Sequence, residues 1–383
     1  MITLQEAESA LKNIYLGTMS NLLNTSSNPL FAKIEQTQAD VYGNEIRTAV
    51  RWGINGGVGA GDEDGTLPSA GSNKYLQFTS TLKNLYGQIS ISDKAIRAGK
   101  EGAGAFTDLL AAEITGLLEA SKFNLARMLY GDGSGFLCNF TAVTDGVLTV
   151  SDTNNLIEGM LVDVYTTSAG VDKMATKVVE IDRANKKVTL DSIPTVTAGY
   201  IYNQGSRNKE LTGLKALFSS TGTLYGLTKS SIASLLPYTR TSTGTLDDVK
   251  IQEMIDRIEN YANCTVDFIS MSQTAKYSYL DFLASYKRNV DYTTTDTGFK
   301  AISFGGIPMV FERFVDSGAM YFIDTATLKL HQLCDWRFLE TENGNILRQA
   351  HDKPVYNATL VKYCDLICNK PNGLARMTGI TRE

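Results

Sequence analysis

Two histidines in 383 residues leave little room for familiar hydrolytic chemistry. With no GxSxG elbow either, a Ser-His-Asp or Cys-His nucleophile has no local signature in this chain. Cysteine is sparse and odd in number: Cys138, Cys264, Cys334, Cys364 and Cys368 follow no framework spacing, which fits reduced thiols. No run of 18 apolar residues exists, and the N-terminus lacks a basic-then-apolar signal pattern, so a protein kept at least initially in a cytoplasm, with no membrane partner, is expected. Excess positive charge is also missing. A formal net charge of −5 argues against a chain built wholesale to coat nucleic acid, so any DNA contact should be local. Internal repeats and low-complexity tracts are absent.

Motifs for cofactors fail in the same way. Gly53, Gly56, Gly57, Gly59 and Gly61 suggest a phosphate loop, but no Gly-Lys-Ser/Thr opens a helix after them. Asp62, Glu63 and Asp64 follow instead and would repel phosphate; they also lack the spacing of a calcium loop. A flexible hairpin tip is the better reading. Cys364 and Cys368, with Cys334, His331 and His351, invite a zinc site, yet residues four apart on a strand lie about 13 Å from each other. Buried cysteines acting as small hydrophobes are expected, with no metal, no cofactor and no catalytic residue.

What is present is the composition of a soluble globular protein, 43% hydrophobic and 20% charged, long enough for two or three domains. The longest helical pattern runs from Thr107 to Tyr130, with Leu110, Ile114, Leu117, Leu125 and Met128 on one stripe that Ser121 completes. Thr107 reads as its N-cap, Arg127 sits in its last turn, and Gly131 offers a left-handed end. At about 1.5 Å per residue it spans roughly 36 Å. Residues 1–25 read as an amphipathic helix, broken by NTSSNP into an arm. Glu45–Trp52 and Lys74–Ser92 alternate as two long strands around a glycine-rich, acidic tip, predicting an extended hairpin that lies on something else, such as a neighbouring subunit. From residue 143 the chain changes to short strands, GVLTV, MLVDVY, KVVEID, KVTLD and GYIYN, which predict a small inserted barrel or sandwich. Thr245 with Asp247 and Asp248 opens a second helix and Ser272 caps a third, with CTVDFISM between them as a buried strand. RNVDYTTTDTG, 288–298, reads as an exposed loop, and the strands after Phe304 as a closing antiparallel sheet. Arg97, Lys100, Lys122 and Arg127 gather near or on the long helix, where phosphate contact, solvation and inter-subunit ion pairs all remain open.

In this order the parts resemble the major capsid proteins of tailed phages, the Hong Kong 97-type fold shared with encapsulins. GIPMVFERFVDSGAMYFIDTATLKL and VYNATLVKYCDLICNKPNGLARM resemble the closing segments of that family, although Asn369 and Lys370 here precede Pro371. The resemblance implies an α+β fold with an N-terminal arm (1–43), an extended hairpin or E-loop (44–88), and a peripheral domain (89–140) with its spine helix at 107–130. It further implies an inserted β domain (141–208), an axial α/β domain returning to the peripheral one (209–355) and C-terminal strands (356–383). The implied function is the coat of a tailed double-stranded DNA phage, a virion component assembled in a bacterial cytoplasm as hexamers and pentamers of an icosahedral shell. Trp52, Gly56, Gly57, Asp62, Glu63, Asp64, Asp291 and Asp296 would lie at assembly interfaces, and Lys122 and Arg127 would face packaged DNA. The chain begins at the arm, without the long helical extension of some relatives, so a separate scaffolding protein or prior processing is implied, with portal and head-completion proteins as further partners. An encapsulin-like compartment shell, and an unrecognised enzyme with an inserted β domain, are the alternatives.

Overall fold

Phe268 to Met271 is a strand with every residue buried; Phe268 faces one hydrophobic core while Ile269 and Met271 face another, so CTVDFISM shows no polar alternation. The computed structural model describes residues 28–94, 103–144, 146–167, 170–285, 292–294, 300–340, 344 and 346–382. The strand is central in a seven-stranded mixed sheet, ordered 238–240, 375–377, 320–323, 268–271, 307–311, 300–304 and 292–294. Helices Asp248–Ala262 and Gln273–Ser285 belong to this part of the fold, the first laying Ile251, Met254, Ile255 and Ile258 on one face of the sheet. The cap of the first helix is Asp247, whose carboxylate accepts from Lys250 N at 2.8 Å, not Thr245; Asn263 ends it in the left-handed region. Ser272 caps the second, as expected, accepting from Ala275 N at 3.3 Å.

The other core lies between the first sheet and a five-stranded one. Here Val355–Cys368 pairs with Leu328–Phe338, Lys83–Ser92 and Arg348–Gln349, and Glu35–Thr37 adds in parallel to Leu328–Phe338 as an edge strand. The closing strands therefore divide between two sheets; they do not form one antiparallel sheet. The long helix runs from Ala103 to Tyr130 and buries Ile114, Leu118, Leu125 and Leu129 in this core. Thr107 is inside the helix, not its cap, and the left-handed glycine is Gly133, not Gly131. The arm's amphipathic helix, read over residues 1–25, lies outside the described residues, but the arm does not stay separate up to residue 43. Asn28 caps a short helix, Pro29–Lys33, whose Leu30 and Phe31 are fully buried.

Two excursions leave this body. Glu45–Gly53 and Lys74–Thr81 form an antiparallel ribbon; the returning strand ends at Thr81, Leu82 is the break, and Lys83–Ser92 belongs to the five-stranded sheet. The ribbon is thus shorter than a hairpin over 44–88. The second excursion is a closed six-stranded barrel, ordered 187–190, 147–150, 136–144, 199–203, 161–166 and 171–182. Its first strand, Phe136–Thr144, begins before the expected boundary at 141. Asp182 makes the expected turn by accepting from Ala184 and Asn185 N at 3.1 and 3.0 Å. The segment 288–298 is not wholly a loop, because Tyr292–Thr294 is the edge strand of the seven-stranded sheet.

Candidate assembly surfaces

The ribbon is rooted on one face. Ile46, Thr48 and Phe78 are buried, and Val50 and Leu76 pack against the body core, while Arg47, Arg51 and Tyr75 face outward. Phe78 meets the Tyr225 ring at 5.2 Å, and Thr79 N donates to Tyr225 O at 3.0 Å. Tyr225 Oη in turn donates to Leu366 O and accepts from Cys368 N, both at 3.0 Å, so one tyrosine joins ribbon and sheet.

Beyond Gly53 no secondary structure supports the chain until Lys74. Trp52 is half exposed with the Lys74 ammonium 5.3 Å from its ring centroid. Gly56, Asp62, Glu63 and Asp64 are exposed, and the Asp62–Gly65 turn is closed by Gly65 N to Asp62 O at 3.1 Å. Gly57 is half-buried because the two legs of the tip cross there: a Cβ on it would lie 2.7 Å from Gly71 N. Three residues that the alternation gave no reason to single out are Ile54, Val58 and Leu67, which are 78%, 90% and 88% exposed. Large apolar side chains at a loop tip have no partner in their own subunit and gain from burial elsewhere. Asp291 and Asp296 lie outside the described residues.

Arg127 is not at a surface that could face DNA. It is 4% exposed, and its guanidinium makes a bidentate pair with Glu210 at 2.5 and 2.9 Å. Lys122, on the same helix, is half-buried. Arg313 secures the barrel: it donates to Leu156 O at 3.0 Å and lies over the Phe123 ring at 5.2 Å.

The residues weighed for zinc stay apart in role. His331 is buried with Nδ1 2.9 Å from Ala39 O, and burial pushes the Cys364 and Cys368 thiols up to about 12. Among the described residues no group of three or more His, Cys, Asp or Glu is placed to hold a metal ion. Among the same residues no helix is long and apolar enough to cross a membrane.

A two-sheet α+β body with a long helix, a projecting ribbon and an inserted barrel is the fold of a phage capsid protein. The chain aligns with a chain of the cyanophage A-1(L) capsid at a TM-score of 0.54, covering 95% of this chain and 93% of that one at 13% identity. The SrpI encapsulin complex of Synechococcus elongatus resembles it more loosely, with a TM-score of 0.49 over 93% and 89% of the two chains at 10% identity. Mycobacterium phage Bobi does so at 0.46, over 92% and 90% at 10% identity. No family model and no curated protein matches the sequence.

Proposed function

We propose that this chain is the major coat protein of a tailed double-stranded DNA phage, a structural subunit that assembles into hexamers and pentamers of an icosahedral shell. The observation that carries the reading is the capsid fold along nearly the whole chain, joined to a ribbon whose apolar tip is unsatisfied within its own subunit. In this reading the ribbon is the E-loop, the helix Ala103–Tyr130 is the spine of a peripheral domain, and the seven-stranded sheet with its two helices is the axial domain. The ribbon lies across a neighbouring subunit, where Trp52, Ile54, Val58 and Leu67 lose water contact, and the acidic turn at Asp62–Asp64 stays at the rim. The function is mechanical, and a separate scaffolding protein, portal and head-completion proteins are its partners.

Electron microscopy of the expressed chain tests this. Closed shells are expected, and particles recovered from an infected host should hold long double-stranded DNA. Shells that enclose a protein cargo in place of a genome would move the assignment to a compartment protein. A small soluble oligomer with no shells at any concentration would reject both.

A further inference from the structure

Four parts of the molecule converge on residues 210–213, where the chain leaves the barrel. Glu210 is held by Arg127 from the last turn of the long helix. Two residues on, Thr212 donates to the Asp365 carboxylate twice, from N to Oδ1 at 2.8 Å and from Oγ1 to Oδ2 at 3.1 Å. The same Oδ2 accepts from Ser80 Oγ at 2.5 Å, and Ser80 is the penultimate residue of the ribbon's returning strand. Asp365 is fully buried on the longest strand of the five-stranded sheet. Gly213 then passes the helix end so closely that a Cβ would lie 2.3 Å from Met128 O and 2.6 Å from Gly131 O. The outgoing leg is therefore fixed to the helix on one side and to the ribbon root on the other. A single carboxylate oxygen serves both hydroxyls, so a shift of Thr212 reaches Ser80 through the one buried Asp365 side chain.

We propose that residues 210–213 are a junction that sets the angle of the ribbon from the position of the barrel, with Asp365 as the shared anchor and Thr212 and Ser80 as positioning residues on its two sides. A partner or a neighbouring copy that displaces the barrel then turns the ribbon root. The value of this coupling in a shell rests on the coat-protein reading; the coupling itself is a property of the subunit.

Hydrogen exchange on the full chain tests it, comparing wild type with Thr212→Val, Thr212→Ser and Ser80→Ala. Thr212→Val keeps the backbone donor and shape but loses the hydroxyl. It should speed exchange of ribbon amides in 46–51 and 75–79 by about tenfold and leave helix amides in 114–130 unchanged, with Thr212→Ser restoring the wild-type rates. Ser80→Ala should reproduce the ribbon effect and loosen the barrel leg at 204–210. Wild-type ribbon rates in Thr212→Val would overturn the proposal, and so would a uniform acceleration through ribbon, helix and barrel, which reports lost stability alone. Failure to form shells would count against the coat-protein reading and leave this comparison intact.

Discussion

Glu312 is the residue whose titration the fold alters in the most testable way. Its carboxylate accepts from the Asn28 amide, which also caps Pro29–Lys33 through its oxygen, and burial pushes it from an ordinary value of 4.5 up to about 7. Its own backbone neighbours and Asn28 pull the other way without cancelling the desolvation. The folded chain thus holds this proton more tightly than the unfolded chain. The stability it contributes is complete below about 4.5 and is lost as pH rises through about 7. Wild type should therefore lose about 1–3 kcal/mol between pH 5 and pH 8 relative to Glu312→Gln, read from urea midpoints at each pH. Asp365, raised by the same cause, titrates in both proteins and drops out of the difference. A parallel pH profile for the two proteins would refute the assignment. Arg127 shows why such residues are hard to read from sequence. Its position in a helix's last turn was legible as a favourable dipole interaction, but its partner Glu210 is 83 residues away and brings it out of water.

Among the elements, legibility followed locality. All five strands read in the barrel are present, because each is bounded by turn residues such as Asp182–Lys187. The sixth, Phe136–Thr144, was missed where Leu137 and Cys138 are buried in succession and break the alternation. The ribbon was legible as a pair of strands, but not the division at Leu82. One buried residue there moves the chain from ribbon to sheet with almost no change in pattern. Nor could strand composition assign the closing strands to two sheets, since both sheets bury them. Two glycines separate kinds of crowding that sequence cannot distinguish. A Cβ on Gly87 would lie 2.8 Å from Leu117 Cδ1, the movable end of a side chain on the long helix; on Gly213 it would meet fixed backbone carbonyls. Gly213→Ala should cost about 2–4 kcal/mol and Gly87→Ala less than about 1.5 kcal/mol by chemical denaturation. Equal costs would mean that the helix end yields as easily as a leucine.

For the whole molecule, the separation of a cored body from an unsupported tip makes assembly and folding independently testable. Residues 56–72 make no contribution to any of the three hydrophobic cores. Deleting Gly56–Ser72 should leave the melting temperature within a few degrees of wild type while abolishing shells in micrographs. Normal particles from that variant would show that the tip is not an assembly element. The general architecture was legible because the serial order of paired strands, long helix, barrel insert and closing strands survives in one sequence. At the tip, an exposed and unsupported loop was legible from the glycines and acids, whereas the apolar Ile54, Val58 and Leu67 were hidden among them.

The barrel's two legs run side by side, with Asn208 N donating to Ser134 O at 2.8 Å and Glu210 N to Gly133 O at 3.2 Å. To the rest of the chain the whole insert is therefore equivalent to a tight turn, and the entropy of closing it is borne by the barrel's own core. In connectivity alone the body is indifferent to what fills that turn, so the site is a natural port at which one subunit design can acquire, lose or exchange a module.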